Sequence, residues 1–193
     1  MRQAPLPLPE DERADDELMR LAAAGEHAAF ESLVRRHQAR VRAYCARWCG
    51  HGSLGDDLAQ ECFVELWRRR SSYVPEGKLR AYLFHIAANR CKNQQRAATR
   101  QLALVDAGAG ASSEGERAPI SDRFALRERQ EYVQASLAKL PELQREAVLL
   151  RYSAELDYAE IASLLGAPEA TVRSRVFLGL IKLRRLLRRE NES

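Results

Sequence analysis

No stretch of the chain is apolar over the length needed to span a membrane, and the N-terminus lacks the apolar segment of a secretory signal. Its first residues are instead rich in proline and acidic side chains. The four cysteines, Cys45, Cys49, Cys62 and Cys91, include no Cys-x-x-Cys pair. We therefore predict a cytoplasmic protein with no membrane insertion and with reduced cysteines.

Signatures of catalysis are also missing, since the sequence has no nucleophile elbow, no phosphate-binding glycine loop and no His–Glu metal motif. A zinc site is one alternative, because Cys45, Cys49 and His51 could approach one another. Cys62 or Cys91 would then complete the ligand set. Cys45, however, falls on an apolar helical stripe, which favours a structural thiol. We predict that the chain is not an enzyme and that it holds neither a metal nor another cofactor.

Acidic residues are absent from two long tracts of a chain whose net charge is only +4. Residues 77–105 contain six lysines and arginines and no Asp or Glu, and residues 170–189 contain seven and again no acid. Two separate basic tracts indicate two contacts with a polyanion such as nucleic acid. The alternative is a pair of solvated helix faces, which is the more common role of a charged run.

Apolar residues recur at helical spacing and no segment alternates as a strand would, so we predict an all-α fold with two small helical domains. Residues 1–14 form a flexible leader and residues 15–98 a helical bundle. Residues 99–121, rich in Gly, Ala and Ser, form a flexible linker. Residues 122–189 form a second domain of four helices.

The second domain ends in the pattern of a helix-turn-helix. Asp157 caps a short helix, Glu160 completes a capping box, and Gly166 supplies the positive φ of the turn. The basic helix that follows suits a DNA major groove. The residues predicted to contact duplex DNA are Thr171, Arg173, Ser174, Arg175 and Phe177. The alternative is a helical hairpin with a basic surface.

In the first domain, a helix predicted to begin near Asp56, after a run of glycines, is apolar on more than one side. One core-facing stripe does not account for all of its large apolar residues. An exposed aromatic group rimmed by polar side chains is typical of a protein-binding surface. The residues assigned to that surface are Asp57, Gln60, Glu61, Phe63, Leu66 and Trp67. The alternative is a helix buried between two neighbours.

The next helix, predicted for residues 78–96, carries a polar face without a single acid. Basic, aromatic and amide side chains mixed along one face favour stacking on unpaired bases and pairing with phosphates. A merely solvated face would more often carry glutamate as well. The residues of this face are Lys78, Tyr82, His85, Asn89, Lys92, Asn93 and Arg96.

Four runs of the sequence, in the right order, resemble the extracytoplasmic-function (ECF) subfamily of the sigma-70 family of bacterial RNA polymerase sigma factors. They are residues 57–63, 83–89, 140–146 and 158–175. The resemblance covers residues 15–98 and 126–187, which is nearly the whole chain apart from the leader and the linker.

This resemblance implies a factor that binds core RNA polymerase and promoter DNA together. In the family, the helix at residues 57–67 docks on the clamp of the β′ subunit, and the second domain docks on the flap of the β subunit. The helix from Lys78 and the loop at residues 71–77 hold the melted minus-ten element with one base flipped out. The helix-turn-helix reads the minus-thirty-five element as duplex, and the linker runs towards the RNA exit channel. An anti-sigma factor is the expected regulatory partner.

The chain departs from the family pattern at several of these sites. Tyr82 stands where Trp is common, Asn93 where Asp is common, and Leu178, Leu180 and Ile181 where Lys or Arg is usual. The apolar group favours a contact with a partner protein such as the anti-sigma factor. A second interpretation is a regulator that binds duplex DNA without polymerase. It leaves the polar face of the fourth helix unexplained, and the sequence offers no heptad stripe for dimerisation.

Overall fold

The computed structural model describes residues 14–50, 52–105 and 131–190, and in these residues the fold is all-α, as predicted. The first domain contains α1 (Asp15–Ala23), α2 (His27–Cys49), α3 (Gly52–Arg68), a 3-10 turn (Arg70–Ser72) and α4 (Leu79–Val105). The second contains α5, helical at residues 131–138, followed by α6 (Glu142–Tyr152), α7 (Tyr158–Leu165) and α8 (Glu169–Glu190). The predicted leader up to residue 13 and most of the predicted linker lie outside the described residues.

The start of α3 differs from the sequence prediction, which placed it near Asp56. The helix begins at Gly52 and includes Gly55. A Cβ atom at Gly55 would lie 2.6 Å from the backbone of Ala46 on α2. Glycine is therefore required at this position by the close approach of two helices, and it does not break the chain there.

The core of the first domain lies where α2, α3 and α4 pack together. Tyr44, Leu66, Leu83 and Phe84 are fully buried in it. The rings of Tyr44 on α2 and Phe84 on α4 meet edge to face, with centroids 5.5 Å apart. Burial of these large apolar side chains is the main stabilising contribution to the bundle and sets the orientation of α4.

Helix α1 is attached to this bundle by a polar contact. The Asp15 carboxylate lies 2.8 Å from Nε2 of His37 and 2.5 Å from Nη1 of Arg36. Partial burial raises the pKa of Asp15, but the hydrogen bonds and charges of His37 and Arg36 outweigh it, and the net pKa is lowered. The carboxylate therefore stays ionised and holds α1 against α2.

The second domain has the predicted helix-turn-helix. The Asp157 side chain accepts a hydrogen bond from the Glu160 amide at 2.7 Å, and the Glu160 side chain accepts one from the Asp157 amide at 2.7 Å. Gly166 ends α7 with a φ of 58°. Ile161 of α7 and Val172 of α8 are fully buried between the two helices. The capping box and the glycine turn fix the angle at which α8 leaves the domain.

Helix α4 is longer than the sequence predicted. It continues to Val105, so the linker expected from residue 99 begins inside a helix. Ala, Gln and Leu dominate residues 97–105 and are good helix formers, which accounts for the extension. In the described part of the chain, no helix is both long enough and apolar enough to cross a membrane.

Candidate nucleic-acid interface

The polar face predicted on α4 is present along one side of the helix. Lys78, just before α4, and the α4 residues His85, Asn89, Asn93 and Arg96 are exposed. Tyr82 and Lys92 are partly buried. The face therefore combines cationic groups with one aromatic ring, the combination that single-stranded nucleic acid requires.

The aromatic part of this face is held by the loop before α4. The rings of Tyr73 and Tyr82 lie 5.4 Å apart. The Tyr73 hydroxyl donates a hydrogen bond to Asp16 of α1 at 2.8 Å, and the Gly77 amide donates a second bond to the same carboxylate at 2.5 Å. Burial and the bond to Asp16 raise the pKa of Tyr73. The loop is thus anchored to α1, and its Tyr73 ring packs against the Tyr82 ring.

A groove of about 700 Å³ runs along this face and is closed on its far side by the second domain. Tyr73, Tyr82 and His85 line one wall, and Glu160 and Ser163 of α7 line the other. The end of the predicted minus-ten face at Tyr82 and His85 is therefore faced by the helix-turn-helix across this groove.

Two ion pairs join α4 to the second domain. Lys92 lies 2.5 Å from a carboxylate oxygen of Glu146, whose side chain is only 1% exposed. Arg80 binds both carboxylate oxygens of Glu160 at 3.2 Å. Acidic side chains of the second domain thus lie beside two basic groups of α4.

Arg145 of α6 is the centre of the contact with the first domain. Its guanidinium lies 4.5 Å above the Trp48 ring, and it donates a hydrogen bond to the Gln95 side chain. The Trp48 indole donates to the same Gln95 oxygen at 3.2 Å. Burial lowers the pKa of Arg145, which nevertheless stays charged. Sequence analysis missed this residue because its partners lie in the other domain.

Three further polar contacts connect the second domain to α2. Arg40 lies 3.0 Å from Glu155. Arg47 donates to the Ser153 hydroxyl at 3.3 Å, and the Gln134 amide donates to the Ala46 carbonyl. The described residues thus form a closed arrangement in which the two domains contact each other directly.

The predicted duplex-reading residues lie at the start of α8. Ser174 and Phe177 are exposed, Phe177 by 63%, and Thr171 is partly buried. Arg173 is exposed and pairs with Glu169 one turn earlier, with its guanidinium 4.3 Å from the Tyr158 ring. Arg175 is different, because it lines a cleft against His85, Asn89 and Lys92 of α4.

The three apolar residues of α8 that depart from the family pattern differ in exposure. Leu178 and Ile181 are 47% and 44% exposed. Leu180 instead packs against the hydrophobic core, as does Val176 one turn earlier. Only the first two therefore form an exposed apolar surface.

The residues predicted for the protein-binding surface of α3 differ in exposure. Phe63 is 8% exposed and Leu66 is fully buried, so both side chains pack in the core. Asp57, Gln60 and Glu61 are exposed, and Trp67 is partly buried against Phe30, with ring centroids 4.9 Å apart.

Val64 is the accessible apolar residue on α3 that sequence analysis did not select. Its side chain is 48% exposed. It lies three and four positions after Glu61 and Gln60, so all three share one helix face. This spacing is the signal in the sequence from which Val64 could have been placed on that face.

The cysteines are free thiols in the structure. Among the described residues no group of three or more His, Cys, Asp or Glu side chains is arranged to hold a metal ion. His51, considered as a ligand from the sequence, lies outside the described residues.

Comparison with known proteins places these features in a family. Residues 33–101 match the Sigma-70 region 2 family, and residues 130–183 match the Sigma-70, region 4 family. The chain is 31% identical over 174 residues to the ECF RNA polymerase sigma-E factor of Escherichia coli, covering 86% of this chain and 91% of that protein. It is 30% identical over 170 residues to the RNA polymerase sigma-H factor of Pseudomonas aeruginosa, covering 84% and 88%.

Two solved structures share the fold. CnrH in complex with the cytosolic domain of CnrY superposes with a TM-score of 0.71 at 26% identity, covering 91% of this chain and 97% of CnrH. The sigma factor RpoE of Bartonella quintana, in complex with the anti-sigma factor NepR, has a TM-score of 0.67 at 24% identity, covering 82% and 96%. Both family regions and the relatives' coverage agree with the two-domain fold. The chain belongs to the extracytoplasmic-function subfamily of RNA polymerase sigma factors, which direct RNA polymerase to promoters.

Proposed function

We propose that this sigma factor binds core RNA polymerase, recognises its promoters through both domains, and holds the opened minus-ten strand on α4. The observation that carries the proposal is the face of α4, where cations, amides and an aromatic ring follow one another without an acid of the first domain between them. That composition suits an unpaired strand better than a protein partner.

At the minus-ten element, Tyr82 stacks on an unpaired base and Lys78, Lys92 and Arg96 contact phosphates. His85, Asn89 and Asn93 supply hydrogen bonds to base edges. Capturing a flipped base offsets an unstacking free energy on the order of a few kcal/mol per base. Binding of the unpaired minus-ten strand by α4 therefore assists opening of the duplex.

At the minus-thirty-five element, Thr171, Arg173, Ser174 and Phe177 enter the major groove. Arg173 can exchange its exposed bond to Glu169 for a guanine edge, because surface ion pairs of this kind contribute little stability. Phe177 packs on thymine methyl groups. Arg175, which now faces α4, contacts the DNA backbone once the domains separate.

The polymerase is bound through α3 and through the second domain. We assign the accessible surface of α3 to the clamp of the β′ subunit. This surface consists of Asp57, Gln60 and Glu61 around Val64, together with the edge of Trp67. The second domain is assigned to the flap of the β subunit. Phe63 and Leu66 act indirectly, by packing α3 onto the bundle.

The two solved structures each contain a second protein, in one case an anti-sigma factor. We propose an anti-sigma partner for this chain as well. The exposed Leu178 and Ile181 of α8 supply an apolar surface for it.

Binding of the minus-ten strand requires the closed arrangement to open. In the closed form Glu146 forms an ion pair with Lys92, and Glu160 forms one with Arg80. Helix α7 faces Tyr82 across the groove. The second domain must move away from α4 before DNA can reach these groups. The free protein is therefore a weaker DNA ligand than its polymerase-bound form.

The chain itself supplies specificity and strand capture, and the polymerase supplies the catalytic groups. We accordingly propose no enzymatic activity and no cofactor for this protein. It acts in the cytoplasm, where its polymerase and promoters are.

The test is run-off transcription by purified core polymerase with and without this protein, on DNA carrying candidate promoters. We expect promoter-specific transcripts only in its presence. An Asp57→Lys, Glu61→Lys double variant should lose them together with polymerase binding. Glu31→Lys is a single charge-reversal control, because Glu31 is an exposed acid on α2 and not on α3. Binding to duplex DNA without any association with core polymerase would overturn the proposal in favour of a simple regulator.

A further inference from the structure

The groove between α4 and α7, about 700 Å³ in volume, presents accessible aromatic and apolar side chains. Val74, in the loop before α4, is 65% exposed. Tyr73 and Tyr82 are partly exposed beside it, with ring centroids 5.4 Å apart. Leu164 of α7 lines the opposite wall. Grooves lined by aromatic rings are the surfaces on which proteins bind proline-rich segments in extended conformation.

The Lys, Asp and Glu side chains that line the groove already have partners. Lys78 lies 3.3 Å from Glu76. Glu160 binds Arg80 and accepts the Asp157 amide, and Asp157 accepts the Glu160 amide in return. Because Asp157 and Glu160 both lie on the α7 wall, the closed groove disfavours phosphates. An uncharged apolar segment therefore suits the closed groove better than a nucleic-acid strand.

The sequence before α1, which lies outside the described residues, contains such a segment. It reads Pro5-Leu6-Pro7-Leu8-Pro9 and carries no charged side chain. Proline has a fixed φ, and each leucine precedes a proline, which restricts it to extended or polyproline II backbone. Such a segment loses little conformational entropy when it binds, which favours docking.

Hydrogen bonds at the start of α1 place this segment close to the groove. Asp16, in the first turn of α1, accepts the Tyr73 hydroxyl at 2.8 Å and the Gly77 amide at 2.5 Å. Pro9 is seven residues before Asp16, and seven residues span at most about 25 Å. The Tyr73 ring, bonded to Asp16 through its hydroxyl, and the Tyr82 ring packed on it both lie within that reach.

We propose that residues 5–9 dock on the Tyr73–Tyr82 surface of this groove and compete there with the minus-ten strand. The prolines pack on the two tyrosine rings, and the leucines pack on Val74 and Leu164. The competition with DNA rests on the proposed function of Tyr82, whereas the docking itself does not.

Weak docking is sufficient because the segment is tethered to α1. A short flexible tether gives an effective concentration on the order of 1 mM. If the free segment binds with a Kd of about 0.1–0.3 mM, the groove is occupied in roughly 75–90% of the molecules. Only the remaining fraction can bind the strand, so the apparent affinity for DNA falls by about fourfold to tenfold.

The first experiment measures the docking directly, on a shortened protein that lacks residues 2–9 and keeps α1. A peptide of residues 1–13 with a fluorescent label at its C-terminus is titrated with this protein and followed by anisotropy. We expect binding with a Kd below about 1 mM. A peptide with alanine at Pro5, Pro7 and Pro9 has the same charge and should bind much more weakly.

Variants of the shortened protein locate the docking site. Val74→Asp places a charge in the apolar part of the groove at an exposed position, so it should abolish peptide binding without affecting the fold. Tyr82→Ala should also abolish it. The matched control is Tyr152→Ala, which removes a tyrosine that is 59% exposed in the second domain and should leave peptide binding unchanged. Circular dichroism checks that each variant is folded.

The second experiment compares the full chain and the shortened protein in binding a single-stranded minus-ten oligonucleotide. The shortened protein should bind about fourfold to tenfold more tightly, and addition of the free peptide should lower its affinity again. If neither protein binds the oligonucleotide, the proposed minus-ten function fails, and the peptide titration alone decides whether the segment docks.

Three results would each overturn the inference. One is the absence of peptide binding to the shortened protein. Another is peptide binding that is equally tight for the alanine peptide or for Val74→Asp. The third is equal oligonucleotide affinity of the full chain and the shortened protein when both bind it.

Discussion

The ammonium group of Lys92 on α4 lies 2.5 Å from a carboxylate oxygen of Glu146 on α6. Glu146 is 1% exposed and Lys92 is 22% exposed, so the pair is largely removed from water. A buried carboxylate without a partner is strongly destabilising. Lys92 is also one of the residues that we assign to the minus-ten strand, so Glu146 and a DNA phosphate compete for the same cation.

Replacing Glu146 by glutamine should favour the open arrangement. The substitution keeps the shape but removes a charge-assisted bond worth about 1–3 kcal/mol, which weakens the contact between the domains. Affinity for a single-stranded minus-ten oligonucleotide should rise by about fivefold or more, as measured by fluorescence anisotropy on the free protein.

Glu155→Gln is the matched control for this prediction. It removes the Arg40 pair, which is exposed at the edge of the same contact. Its effect on oligonucleotide affinity should be small. An equal rise in both variants would mean that net charge, and not release of Lys92, controls DNA binding.

Replacing Tyr82 by alanine should weaken binding of the opened strand by about 1–3 kcal/mol, because one base loses its stacking partner. Tyr82→Trp should bind at least as well as the natural residue, since the larger ring stacks more strongly. Permanganate reactivity of thymines in the polymerase complex measures strand opening. Tyr152→Ala, which removes a tyrosine that is 59% exposed in the second domain, should leave this signal unchanged.

Two adjacent residues of α3 should give opposite results. Phe63→Ala should lower the free energy of unfolding by about 3–5 kcal/mol, because it empties a core position. Val64→Asp changes a side chain that is 48% exposed, so it should leave stability nearly unchanged while weakening polymerase binding. Urea unfolding and gel filtration with core polymerase measure the two effects. Loss of polymerase binding only in Phe63→Ala would contradict our assignment of the α3 surface.

The two glycines at the start of α3 should also respond differently. Gly55→Ala places a methyl group 2.6 Å from the Ala46 backbone and should destabilise the bundle by about 1–3 kcal/mol as α2 and α3 are forced apart. Gly52→Ala meets no atom within 4 Å and should be neutral or slightly stabilising. Thermal melting of the two variants distinguishes a packing requirement from a helix break.

Local rules in the sequence were sufficient for the second domain. Asp157, Glu160 and Gly166 are near one another along the chain, and their roles depend only on the helix that they flank. The same holds for the polar face of α4, which follows from helical spacing and composition. Features whose cause lies within one or two turns could therefore be predicted.

Features that depend on contact with a second helix could not be predicted from the sequence. Gly55 was interpreted as a break because its reason for being glycine is the backbone of Ala46, nine residues away. Phe63 and Leu66 were assigned to a surface because the sequence does not reveal how many neighbours α3 has. The closed arrangement of the domains was equally hidden, since Arg145 and its partner Gln95 are fifty residues apart.

One carboxylate serves two structures at once. The Oε2 atom of Glu160 accepts the backbone amide of Asp157 at 2.7 Å in the capping box, and it also lies 3.2 Å from the guanidinium of Arg80 in the other domain. Glu160→Ala alters the start of the helix-turn-helix and the latch on α4 together, and it is expected to be pleiotropic, affecting promoter reading and domain opening in the same cell. Glu160→Gln keeps an oxygen for the capping box and loses only the charge that pairs with Arg80, so it and changes of Arg80 are the separation-of-function alleles.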